Sequence, residues 1–177
     1  MTSDLQAGFP KPKFITGGCL CGALRYRVDF PPSHDFIKAS GTCQCTQCRR
    51  QTGALFFMTQ SFSPASCFQF TSNTSTLKNY RATPQADRGF CSDCGTLLYW
   101  KPVDRDASSI TLGTVDPLYL FGEGANEENG VPEKGGYGFA LANGGGTHSW
   151  CTNEIPGVTD NIPILGATGR GTRVDGD

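Results

Sequence analysis

Seven of the nine cysteines fall into three short blocks: Cys19 and Cys21 as C-x-C, Cys43, Cys45 and Cys48 as C-x-C-x-x-C, and Cys91 and Cys94 as C-x-x-C. Thiols grouped this tightly suit a metal. One Zn²⁺ takes four tetrahedral ligands, with Zn–S about 2.3 Å, and a site with only three protein ligands keeps a coordination position for chemistry. The blocks therefore suggest one closed site from the outer pairs, Cys19, Cys21, Cys91 and Cys94, and one open site from the central triplet, Cys43, Cys45 and Cys48. A zinc rich in thiolate ligands favours a further sulfur donor, so an incoming thiol would bind there and lose its proton. Spacing leaves a second arrangement open, in which Cys67, Cys151 or His148 closes the central site as a fourth ligand. Of these, His148 reads better as a hydrogen-bonded structural residue, and Cys67, beside Phe68, as core. Arg49 and Arg50 directly follow Cys48, and the guanidinium fork matches carboxylate geometry. They are the candidate substrate-binding residues, with surface arginines as the alternative.

The elements that must carry these blocks read as β-strands. Phe14 to Asp29 patterns as a hairpin, with Gly17, Gly18 and Gly22 bracketing the first cysteine pair and Ala23–Val28 alternating apolar and charged side chains, the period of a half-buried strand. Ala54–Met58 is a short apolar run expected as a buried strand. Residues 67–70, 77–81, 96–100, 109–115 and 147–151 give further strand signals with turn residues between them. Signals recurring every ten or so residues predict an all-β domain, layered or barrel-like, and the many glycines and prolines predict few or short helices.

A chain of 177 residues suffices for one domain with a real core. The expected organisation is a flexible arm over 1–12, one zinc-binding β-domain over 13–165 and a flexible tail over 166–177. Nine of the 25 residues from Gly122 to Gly146 are glycine, which predicts a flexible insertion of the kind that serves as a lid. Neither a phosphate-binding loop nor a dinucleotide-binding glycine pattern occurs in it. The net charge of −1 conceals a division: residues 1–110 hold 12 Lys and Arg against 7 Asp and Glu, and residues 111–177 hold 3 against 9. A weakly basic field around the cysteines favours small anionic ligands and is too small to predict nucleic acid. No apolar run is long enough to span a membrane, and the first ten residues lack a secretory pattern. A cytoplasmic protein is expected, and in that reducing setting clustered cysteines read as metal ligands rather than disulfides.

The three blocks in this order, Gly17-Gly18-Cys19-Leu20-Cys21-Gly22-Ala23, then Cys43 to Ala54, then Phe90-Cys91-Ser92-Asp93-Cys94-Gly95-Thr96, resemble the glutathione-dependent formaldehyde-activating enzyme and centromere protein V family. The similarity runs from Phe14 to about Pro163 and includes Leu112–Pro117 and the segment from His148 to Trp150. The resemblance implies a zinc-braced antiparallel fold called a β-tent. It also implies a structural zinc on Cys19, Cys21, Cys91 and Cys94, and a catalytic zinc on Cys43, Cys45 and Cys48. This chain differs from the family pattern in having Gln44 where His is common, and in the length of its Gly-rich insertion.

The expected function is that of a zinc-dependent carbon–sulfur lyase with two zinc ions per chain. The open zinc would take a thiol, with glutathione as co-substrate, or another small anionic substrate. Two alternatives stand beside it: a Lewis-acid zinc enzyme acting on a larger specialised metabolite, and a non-catalytic zinc module that binds a partner. Exposed sheet edges make a homodimer possible, and neither nucleic acid nor membrane is expected as a partner.

Overall fold

The computed structural model describes residues 8–125, 135–164 and 171–176. In chain order the elements are β1 (Phe14–Gly18), β2 (Arg25–Asp29), α1 (Phe36–Ala39), β3 (Ser40–Cys43), α2 (Thr46–Thr52), β4 (Phe57–Phe62), β5 (Phe68–Phe70), β6 (Leu77–Thr83), β7 (Ala86–Cys91), β8 (Leu97–Pro102), β9 (Ser108–Thr111), α3 (Pro117–Phe121), α4 (Gly138–Ala142), β10 (Thr147–Ser149) and β11 (Thr172–Val174). The expected layered β fold with few, short helices is the one found. A three-stranded sheet, β1-β2-β5, lies against an eight-stranded sheet ordered β11-β10-β3-β4-β9-β8-β7-β6.

Alternation in sequence becomes layering in space. In β1 and β2, Ile15, Tyr26 and Val28 point inward and are fully buried, and they pack with Phe62, Leu98 and Ile110 of the large sheet in one core. Each such side chain contributes about 2 kcal/mol by leaving water. Phe68 of β5 stacks on Tyr26 at 5.0 Å and meets Tyr99 edge-on at 5.5 Å, joining the two sheets. Gly17 is required by close approach, since a Cβ there would overlap the Tyr26 hydroxyl and the Thr114 carbonyl.

Several local expectations differ from what forms. The strand expected over Ala54–Met58 begins only at Phe57 and runs to Phe62, while Leu55 is half exposed. Helix α2 ends at Gly53 in the left-handed region, φ 68°, so residues 54–56 are used in turning the chain back. Part of the Gly-rich stretch expected to be flexible is α4, whose Ala140 and Leu141 are buried in the main core; residues 126–134 of that stretch lie outside the described residues. The large sheet is not wholly antiparallel, because β10 pairs parallel with both β3 and β11. Among the described residues no helix is long and apolar enough to cross a membrane.

Strand β11 lies within the segment expected as a flexible tail. Arg173 places both terminal nitrogens on the Glu154 carboxylate, at 2.5 and 2.7 Å, and this pairing holds Glu154 below the usual carboxylate range. A carboxylate lowered in the folded state stabilises fully above its unfolded value and loses that contribution as pH falls through the lowered one. Acidification below about pH 4.5 should therefore loosen β11 at a cost of roughly 1 kcal/mol. Hydrogen exchange at Thr172–Val174 reads this directly. Arg173→Gln should show the faster exchange already at neutral pH, and unchanged protection in that variant would rule the tether out.

Candidate metal centres

Cys19 and Cys21 occupy the turn between β1 and β2, while Cys91 ends β7 and Cys94 lies in the turn between β7 and β8. Each turn is closed by a glycine in the left-handed region: the Gly22 N–H donates to the Cys19 carbonyl at 3.0 Å and the Gly95 N–H to the Cys91 carbonyl at 2.8 Å. Glycine takes that conformation without the Cβ penalty, so both thiols of each pair can face one point. The four sulfurs lie within 4.8 Å of one another. Cys19 and Cys21 are 3.5 Å apart, and Cys21 reaches Cys91 at 3.8 Å across 70 residues of sequence. The Leu24 N–H points at the Cys19 sulfur at 3.2 Å, and the Thr96 hydroxyl sits 3.2 Å from the Cys94 sulfur. Burial raises the Cys94 thiol, but the Thr96 hydroxyl and backbone N–H groups outweigh it and hold the group at about 6. This cluster bridges the hairpin of the small sheet to a hairpin of the large one.

The second cluster forms where β3 gives way to α2. Cys43 ends the strand, Cys45 is the helix N-cap, and Cys48 sits one turn later, buried. The cap supplies the geometry, because an N-cap side chain accepts from an N–H in the first turn. Here the Cys48 N–H donates to the Cys45 sulfur at 3.3 Å, and the Cys45 N–H to the Cys43 sulfur at 3.5 Å. The three sulfurs also lie within 4.8 Å of one another. Thiols of Cys43 and Cys48 donating to Cys45, together with backbone N–H groups, pull its pKa down to about 2. The same sharing pushes Cys43 up to about 12 and raises Cys48 as well. One thiolate held by two thiols and two N–H groups is a donor set ready to exchange protons for a soft cation.

No fourth Cys, His, Asp or Glu joins this triplet among the described residues. Of the three candidates, His148 is buried between Thr42, whose hydroxyl lies 2.7 Å from Nδ1, and the Gly144 carbonyl, 2.9 Å from Nε2. A carbonyl only accepts, so Nε2 carries a proton toward Gly144. Cys151 donates to the His148 carbonyl at 3.2 Å, and Cys67 packs against the main core. Gln44, between two of the clustered cysteines, turns away from them. Its Oε1 accepts from Arg49 at 3.0 Å and Thr159 at 2.8 Å.

Cys43, Cys45 and Cys48 line a cavity of about 270 Å³. Phe57 and Trp100 form apolar wall, Ser61 and Ser109 offer hydroxyls bonded to each other at 2.8 Å, and Lys38, Arg88 and Arg105 are its cations. A second cavity of about 700 Å³ shares Cys45, Trp100 and Arg105 with the first and is bounded by Trp150, whose backbone is left-handed at φ 62°. Neither Arg49 nor Arg50 lines either cavity. Arg49 donates to the carbonyls of Leu55 at 2.7 Å and Asn153 at 2.6 Å, which fixes the loops around α2, and Arg50 is exposed. The missed residue with the clearest signal is Arg88, a charge that shares the buried side of β7 with Ala86.

Comparison with known proteins places the chain beside one family. The family model described as glutathione-dependent formaldehyde-activating enzyme matches residues 14–128, a span that contains all seven clustered cysteines. The match ends before β10, short of the C-terminal similarity expected from sequence. A crystal structure of a Rhodobacter sphaeroides protein is similar at 21% identity and a TM-score of 0.48, covering 67% of this chain and 98% of that one.

Proposed function

Because the chain belongs to the glutathione-dependent formaldehyde-activating enzyme family, we propose that it is a zinc-dependent enzyme of carbon–sulfur chemistry, joining a thiol to a carbonyl carbon or cleaving the adduct. The observation that carries this reading is the triplet of converging sulfurs in the wall of a cavity, with no fourth ligand among the described residues. The donor set fits zinc: three thiolates from one strand end and one helix cap, close enough to share an ion. A zinc ion held by Cys43, Cys45 and Cys48 would supply a Lewis-acid position that lowers the pKa of a sulfur donor from its ordinary value of roughly 8.5.

The chain's own groups do the rest. Phe57 and Trp100 exclude water from one side of the reacting atoms. In the forward direction the thiol S–H bond breaks, a carbon–sulfur bond forms at the carbonyl carbon, and a proton ends on the former carbonyl oxygen. The Ser61 and Ser109 hydroxyls, bonded to each other in the cavity wall, would relay that proton. The outer cluster of Cys19, Cys21, Cys91 and Cys94 takes the structural role, holding a second zinc that braces the sheets. The protein so read works on small thiols or anionic substrates in the cytoplasm.

Exchange between glutathione plus formaldehyde and S-hydroxymethylglutathione, followed by two-dimensional exchange NMR, tests the activity. Zinc-loaded protein should accelerate the exchange well above the protein-free rate, and an unchanged rate would defeat the reading for this thiol. The larger cavity next to Cys45 favours a second reading, a Lewis-acid reaction on a bulkier metabolite seated between Trp100 and Trp150.

A further inference from the structure

Arg88 has a chemistry that the thiol reaction leaves unexplained. It projects from the middle of β7 into the first cavity and is only 6% exposed. Its Nη2 donates to Gln47 Oε1 at 2.9 Å, while its Nη1 is buried with no hydrogen-bond partner among the described residues. A buried guanidinium with an unused nitrogen is costly unless something pairs with it. None of the residues lining this cavity is an aspartate or glutamate. Asp87, its neighbour in sequence, is engaged by Arg81 at 2.7 Å. Two further cations, Lys38 and Arg105, line the cavity with side chains largely in solvent. Together the three outweigh the single net negative charge of a three-thiolate zinc group.

We propose that Arg88 forms a carboxylate subsite in the cavity beside Cys43, Cys45 and Cys48, so that the ligand taken there is an organic acid whose carboxylate meets Arg88 Nη1. The inference rests on the reading above for the identity of the neighbouring sulfur donor, and it deepens that reading by naming the substrate class. Gln47 fixes Nη2 and leaves Nη1 buried and without a partner, on a residue that forms part of the cavity wall. Lys38 and Arg105 draw the anion in, and the buried cation holds it. A cavity of about 270 Å³ sets the acid end of the ligand at a few carbon atoms.

The test compares 3-mercaptopropionate with 3-mercaptopropionamide, which share a shape and differ in charge, by calorimetric titration of the zinc-loaded full chain. The acid should bind about 10-fold or more tighter than the amide, as charge-assisted hydrogen bonds to a buried partner do. Arg88→Gln should bring the ratio to about one while zinc content and circular dichroism stay as in the wild type. If that variant does not fold, Arg88→Lys reads the same subsite: an ammonium keeps the charge but lacks the planar fork that spaces the Gln47 bond from the ligand bond, so the preference should shrink several-fold. No preference in the wild type, or an undiminished one in the folded variant, overturns the subsite. Where neither thiol binds, propionate against propionamide separates the two ideas. Propionate binding that vanishes in Arg88→Gln keeps the subsite and removes the thiol reading, and no propionate binding overturns the subsite too. Inorganic phosphate should compete less well than propionate; stronger competition overturns the assignment to a carboxylate.

Discussion

Replacing Cys45 with serine should take one of two zinc equivalents from the chain and abolish carbon–sulfur exchange, while leaving the fold close to its wild-type stability. Cys45 is the hub of the inner cluster. Both neighbouring thiols and the Cys48 N–H converge on its sulfur, and without it only two thiolates remain, a set too small to hold zinc against water. The helix suffers little, because serine is among the preferred N-cap residues and its hydroxyl oxygen can accept the same N–H from Cys48. Phe57 and Leu97 around the cluster keep their packing. Elemental analysis with a thermal melt makes the check: zinc should fall from two to one per chain, with the melting temperature moving by only a few degrees. Two zincs retained would mean that the triplet is not a site in its own right. Both lost would mean that the two clusters are energetically one.

How far the sequence anticipates this arrangement depends on how local each feature is. The clusters were legible because every block is short, and thiols two or three residues apart at a turn or a helix cap share a neighbourhood. Joining the first block to the third required contact across 70 residues, which spacing could suggest and only the paired hairpins display. Helix α2 was invisible, since seven residues carry no amphipathic period and the capping residue is a cysteine rather than serine, threonine, aspartate or asparagine. Without that helix the sequence could not say which way Arg49 and Arg50 point. Successive residues on a helix turn by about 100°, so a side chain two positions after Cys48 faces away from the site. Arg88 was missed for a different reason: no strand was expected over Ala86–Cys91. Within that strand Arg88 shares the buried side with Ala86, and alternation fails only beyond it, where the pairing with β8 slips between Gly89 and Phe90. The parallel pairing of β10 with β3 joins segments about a hundred residues apart, and no local pattern encodes that.

Replacing Cys91 should have the opposite consequence from replacing Cys45. Cys91 is fully buried at the end of β7, part of the main core, and its sulfur belongs to the cluster that fastens the β1–β2 turn to the β7–β8 turn. Structural zinc contributes about 10–16 kcal/mol of apparent binding free energy in small zinc modules, whereas a whole domain is stable by only about 5–15 kcal/mol. Losing one ligand therefore removes an amount comparable with the entire margin. Cys91→Ser adds a buried hydroxyl in place of a core sulfur and should leave the chain unfolded or insoluble. Chelation offers the same test without mutation. The inner cluster opens onto a cavity and should give up its metal first, with circular dichroism unchanged; the outer cluster should release its metal only as the sheets come apart, in one transition with the loss of β signal. A Cys91→Ser protein that melts within a few degrees of wild type would separate metal from fold, and the brace would then come from packing between the sheets such as the Phe68 contacts with Phe62 and Tyr99.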